Sequence, residues 1–162
     1  MDLPRRKLHR LKNWDYSQPS YYHVTICTQN KKNILCQIHQ AGLDTVVIPS
    51  AAGQCVIDNW NRLHTLYPNI KTDYFCLMPN HIHGIIIIEP SNEQKSLSDI
   101  VRGFKSVTTR EFNKMVPECK KNTLWQSSFY DEIIKNDSML FEVRKYIFGN
   151  PSKWLEDELY VK

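Results

Sequence analysis

Apolar and polar positions along the chain switch between two periods. Tyr21 to Thr28 (YYHVTICT) is dense in aromatic and β-branched residues and predicts a strand. Lys31, Lys32 and Asn33 mark a turn, and the short apolar stretches Ile34 to Ile38 and Thr45 to Ile48 predict a peripheral hairpin. From Ser50 the period changes. Val56, Trp60, Leu63 and Tyr67 recur at three or four residues, which predicts a helix through about Leu66 that Pro68-Asn69 ends. Tyr74 to Met78 and His81 to Glu89 predict two buried strands paired antiparallel, with Pro79-Asn80 as the break between them. After the polar loop Ser91 to Lys95, Ser96 or Ser98 is placed to cap a helix to about Met115. Ile100, Val101, Phe104, Val107 and Phe112 form its apolar side; Arg102, Lys105 and Arg110 fall on its wetter side. Pro117 to Asn122 is a charged loop, and Trp125 to Lys135 predicts a further strand. Asp137 or Ser138 caps a last helix, about 138–150, that carries Tyr146 and is stopped by Gly149 and Pro151.

The order strand, helix, strand, strand, helix, strand, helix, with a central hairpin, predicts an α+β fold. It is a ferredoxin-like or RRM-like split βαβ sandwich, an antiparallel sheet with helices packed on it. A chain of 162 residues, 41% hydrophobic and 23% charged, suits one folded domain with a proper core. We expect a basic N-terminal arm over 1–20 and a single domain over 21–162.

Charge and cysteine usage narrow the function classes. The net charge of +4 permits a polyanionic partner without demanding one, so its distribution matters more. Arg5, Arg6, Lys7, His9, Arg10 and Lys12 crowd the N-terminus, either as an arm that tracks phosphates or as a solvated tail. Five cysteines without a CxxC pair disfavour a disulfide framework or a Cys-rich zinc site and suit a reducing cytosol. No apolar run is long enough to span a bilayer and no secretory signal is visible, so the expected location is cytoplasmic.

Candidate chemistry begins at His81-Ile82-His83. In a strand, residues i and i+2 share a face, so the two imidazoles point together while Ile82 enters the core. Two neutral imidazoles are half of a divalent-metal site. An HxH by itself is a weak signal, but two unligated imidazoles would be costly to bury in the most apolar strand. His9, His23, His39 and His64 are scattered and read as surface or partly buried residues. On the last helix Tyr146 and Asn150 are four apart and share a face. Pattern alone assigns that tyrosine to the core.

Three separated strings change this picture. PNHIHGIIII, then LWQSSFYDEIIKN, then YIFGNPSKW resemble the insertion-sequence-200-like tyrosine transposases, HUH enzymes named for a histidine-hydrophobic-histidine motif. The opening RRKLHRLKNWDYSQPSYYHVTICT resembles the branch associated with repetitive extragenic palindromes, and the likeness spans nearly the whole chain. It implies Tyr146 as nucleophile and a divalent metal, Mg²⁺ or Mn²⁺, held by His81, His83 and Asn150. It implies nicking and rejoining of single-stranded DNA through a 5′-phosphotyrosine, on a strand folded into a hairpin. Lys153 matches the basic residue after Asn-Pro. Arg5, Arg6, Arg102, Lys105 and Arg110 are further candidates for phosphate contacts. Family members commonly carry a histidine where Glu132 stands, so Glu132 is either an extra ligand or a surface residue. Tyr130 is the rival nucleophile. Pro151 disfavours helical geometry at Asn150, which would distort its alignment with Tyr146. The likeness leaves monomer or homodimer open. A non-catalytic single-stranded nucleic-acid-binding module of the same fold is the alternative, and a small zinc hydrolase a third reading.

Overall fold

Side chains alternate along β1 (Ser20–Cys27), and that alternation sets the two faces of the molecule in the computed structural model. The structure describes residues 11–93 and 95–161. In chain order there follow a hairpin of β2 (Cys36–Ala41) and β3 (Asp44–Pro49), α1 (Ala51–Asn61) and the one-turn α2 (Leu63–Leu66). Then come β4 (Ile70–Leu77), β5 (His81–Ile88), α3 (Leu97–Met115), β6 (Tyr130–Ile134), α4 (Asp137–Gly149) and a 3-10 turn, Pro151–Glu156.

The main sheet has the order β4-β5-β1-β6 with every neighbour antiparallel, and β2-β3 forms a separate ribbon. With the ribbon set aside, this is the strand order of a split βαβ sandwich, as the sequence pattern predicts. Tyr22, Val24 and Ile26 of β1 join Ile82 and Ile86 of β5 in a core closed by Val56 and Trp60 of α1 and by Ile100, Val101 and Phe104 of α3. The opposite face carries Cys76, Ile85 and Ile134 against Val143 and Ile147 of α4 and Trp154 of the 3-10 turn. The sheet is therefore covered on both sides, and α4 has one side nearly to itself.

The Pro79-Asn80 break makes a tight connection in which Met78 N–H donates to the His81 carbonyl at 2.9 Å. Asn80 is fully buried there, its carbonyl accepting from Thr28 N–H at 2.8 Å. Gly84 lets the Trp60 ring lie against the sheet: a Cβ at that position would sit 2.3 Å from it. Ser96 caps α3 in a full capping box with Asp99, a device worth about 1 kcal/mol.

Several boundaries differ from the sequence expectation. β4 begins at Ile70, four residues earlier than the pattern suggests, because a register shift between Thr72 and Phe75 interrupts its alternation. The strand expected from Trp125 pairs only over Tyr130–Ile134. Trp125 makes an isolated bridge to Thr28, and the carbonyls of Gln126, Ser127 and Ser128 turn instead to the Lys105 ammonium. The helix expected to about Leu66 breaks at Arg62 (φ −92°, ψ 0°). The cap of α4 is Asn136, whose side chain accepts from Met139 N–H at 2.8 Å, rather than Asp137 or Ser138. Within the stretch 1–20, Trp14 and Tyr16 pack on the core, and Trp14 Nε1 donates to Tyr22 Oη at 3.2 Å. Among the described residues no helix is long and apolar enough to cross a membrane.

Candidate functional site

β5 sends His81 and His83 to the α4 face, and both are buried (0% and 3% exposed). The surroundings determine which nitrogen of His81 is bare. The Asn80 amide nitrogen donates to the carbonyls of Leu159 (2.7 Å) and Lys31 (3.4 Å), so its oxygen is the atom 2.8 Å from His81 Nδ1. Nδ1 therefore carries the proton and Nε2 offers a lone pair. His83 Nδ1 meets Thr25 Oγ1 at 2.8 Å and His23 Nε2 at 3.3 Å. The two Nε2 atoms converge at 3.1 Å. Adjacent ligands about 2.1 Å from an octahedral ion lie about 3.0 Å apart, so the spacing fits a shared cation. Burial pulls His81 down to about 3 and His23 to about 4, and holds His83 well below the usual range, with its histidine neighbours adding to the effect. All three imidazoles are neutral at neutral pH, the form a metal needs.

α4 supplies the other half. Tyr146 is half-exposed, and its ring stands edge-on to His83 (centroids 5.2 Å) and His23 (5.9 Å). Burial raises its phenol above the ordinary range, and a hydrogen bond with the Asn150 side chain acts against that rise. Asn150 keeps helical geometry (φ −62°, ψ −45°) despite the following proline, correcting the expected distortion. Pro151 opens the next turn, where its missing N–H costs nothing, and Lys153 N–H closes that turn on the Asn150 carbonyl at 3.0 Å. Asn150 is buried, and its Oδ1 has no hydrogen-bond partner among the described residues. Such an atom costs about 1–3 kcal/mol unless something satisfies it, so the residue fits the metal role that the resemblance implies. Arg144 fastens α4 to β4 through hydrogen bonds to Asp73 Oδ2 of 2.9 and 2.6 Å. Tyr146 thus stands against His83 and His23.

Thr25, His83, Tyr130, Tyr146, Asn150 and Lys153 line one cleft of about 630 Å³. Two residues that sequence reasoning missed also belong to this place. One is His23, read above as scattered. The other is Asp157, whose Oδ2 lies 3.7 Å from His81 Nε2.

The remaining candidates lie apart from the histidine pair. Arg102 is exposed and ion-paired with Asp99. Lys105 donates to the carbonyls of Gln126, Ser127 and Ser128 at 2.9, 3.3 and 2.9 Å. Burial pulls its ammonium down to about 8. Arg110 lines a different groove, with Lys105, Lys114, Lys121 and Gln126. Glu132 is exposed on β6, opposite His23 in register. Arg5 and Arg6 lie outside the described residues.

The chain thus carries a split βαβ sheet with a histidine pair on an inner strand and a tyrosine helix across it. The model for IS200-like transposases matches residues 16–150, and the chain belongs to that family. An uncharacterized Haemophilus influenzae protein is 29% identical over 178 residues, covering 98% of this chain and 95% of its own. A second protein of that organism, provisionally named a REP-associated tyrosine transposase, is 23% identical over 67% of this chain and 68% of its own. Among solved structures, the REP-associated tyrosine transposase bound to a REP hairpin superposes with a TM-score of 0.63. It is 17% identical and covers 89% of this chain and 73% of its own. A Deinococcus radiodurans protein, provisionally named a transposase, gives a TM-score of 0.54 at 15% identity, over 86% of this chain and 97% of its own. Both structures share the fold.

Proposed function

We propose that the protein cuts and rejoins single-stranded DNA, with Tyr146 as nucleophile and Mg²⁺ or Mn²⁺ held by His81, His83 and Asn150. The observation that carries this reading is the Tyr146 ring against His83, in the same cleft as the unpartnered Asn150 oxygen. A metal bound there supplies positive charge at the scissile phosphate, where the transition state gathers negative charge.

The chain's own residues carry the remaining steps. The Tyr146 phenol is protonated at neutral pH and loses its proton as it attacks. Its oxygen bonds to phosphorus while the bond to the 3′ oxygen breaks. The products are a 5′-phosphotyrosine and a released 3′ oxygen, which takes up one proton to become the 3′-hydroxyl. The ester keeps the energy of the cut linkage, so an incoming 3′-hydroxyl reverses the step without ATP. Asn150 orients the phenol through their hydrogen bond, and exposed Lys153 on the cleft wall meets the phosphate. The substrate we infer is a strand folded into a hairpin. Family membership and the hairpin held by the REP-associated transposase of the same fold support this.

The test is covalent trapping of labelled single-stranded hairpin DNA on a denaturing gel with Mg²⁺ or Mn²⁺. A metal-dependent adduct that disappears in Tyr146→Phe supports the reading. Binding without an adduct, over several hairpins, would instead favour a non-catalytic module of this fold. An adduct that survives in Tyr146→Phe and disappears in Tyr130→Phe would move the nucleophile to β6.

A further inference from the structure

The C-terminal segment brings a carboxylate to the same buried point. After α4 the chain reverses through Pro151–Glu156, and Trp154 packs on Tyr160 with ring centroids 5.0 Å apart. Asp157 follows, its side chain only 8% exposed. Its backbone N–H donates to the Trp154 carbonyl at 3.1 Å, and its Oδ1 accepts from Leu159 N–H at 2.7 Å. The turn thus fixes the carboxylate and leaves Oδ2 facing His81 Nε2. One ligand atom each from His81, His83 and Asp157 falls within 4.8 Å of the others.

Asn80 ties this segment to the histidine strand. Its amide nitrogen holds the Leu159 carbonyl at 2.7 Å while its oxygen keeps the proton on His81 Nδ1. A carboxylate oxygen is thereby set against a bare imidazole lone pair in a buried place. That arrangement is repulsive unless a proton or a metal cation stands between them, and their separation of 3.7 Å is too long for a shared proton and leaves room for an ion.

We infer that Asp157 is a further ligand of the metal at His81 and His83, so that the segment after the tyrosine helix closes the site with a negative charge. This rests on the metal reading above and adds to it. Two imidazoles, a carboxylate and the Asn150 amide oxygen form a mixed nitrogen–oxygen set, suited to Mn²⁺ or Mg²⁺ and harder than an all-histidine site. The ion would also clamp the segment 151–161 onto the sheet.

The experiment is calorimetric titration of Mn²⁺ and Zn²⁺ into metal-stripped full-length protein and its Asp157→Asn, Asp157→His and His81→Ala variants. Asparagine keeps an oxygen for Leu159 N–H and removes only the charged ligand. We expect Asp157→Asn to bind Mn²⁺ more weakly by a factor on the order of ten or more, with its metal-free melting midpoint unchanged. Asp157→His should shift the preference toward Zn²⁺ by about tenfold, a change that a merely structural role would not produce. His81→Ala should lose both metals. Wild-type affinity in Asp157→Asn, or an unchanged metal preference in Asp157→His, overturns the Asp157 assignment and leaves the histidine site standing. Absence of Mn²⁺ binding by the wild type overturns both.

Discussion

The Asn80 amide faces His81 with its oxygen and the Leu159 and Lys31 carbonyls with its nitrogen, so one side chain orients an imidazole and anchors a distant segment. Asn80→Ala should therefore weaken Mn²⁺ binding by roughly tenfold or more and cost about 1–3 kcal/mol of stability. Titration and urea unfolding measure the two effects, and a variant normal in both would refute the linkage. The buried histidines give a second prediction, for the metal-free protein in EDTA. His23 and His81 are held at about 4 and about 3 in the folded state, below the ordinary value of 6.5. Unfolding therefore takes up protons below pH 6.5. The stability these groups contribute is fully present above that pH and is lost progressively as pH falls from 6.5 to about 4 for His23 and on to about 3 for His81. For His23 the loss is on the order of 3 kcal/mol. Urea midpoints that stay level from pH 7 to pH 4.5 would contradict this. The pairing of His81 with His83 was readable because an i, i+2 spacing needs no tertiary knowledge. His23 was not, because it reaches His83 only through the register that sets Thr25 opposite His83. Asp157 was hidden for a similar reason: it lies past a proline that ends the helix, and a turn returns it to His81.

At the scale of elements, β5 is held between two cores, and at Gly84 the Trp60 ring of α1 lies directly against it. Gly84→Ala would put a methyl within 2.5 Å of the Trp60 ring atoms Cζ2 and Cη2, next to His83. We expect a loss of about 1–3 kcal/mol in urea unfolding and weaker metal binding, since either the indole or the histidine strand must yield. A neutral substitution would show that Trp60 has room to move. The order of strands and helices was legible from hydrophobic period alone. The edges were not: the shift inside β4 breaks its alternation, and the turn before β6 is shaped by a lysine on a helix distant in sequence. The position of α4 depends on Arg144 and Asp73, residues 71 apart, which no local pattern connects.

For the whole molecule, the histidine cleft is distinct from the basic groove along α3. Lys105, Arg110, Lys114 and Lys121 line that groove. If the duplex part of a hairpin lies there, Arg110→Ala should weaken hairpin binding and reduce the slope of log affinity against log salt by about 1. Binding measured over several salt concentrations tests this, and an unchanged slope would remove the groove from the DNA path. The arrangement along the chain has a consequence for synthesis. Residues 20–134 contain every strand among the described residues and both imidazoles of the pair, whereas Tyr146, Asn150 and Asp157 all follow. A ribosome therefore delivers the sheet before Tyr146, the nucleophile proposed above. On the function proposed above, a message truncated after β6 yields a sheet that keeps both imidazoles and lacks the nucleophile, so it should form no phosphotyrosine.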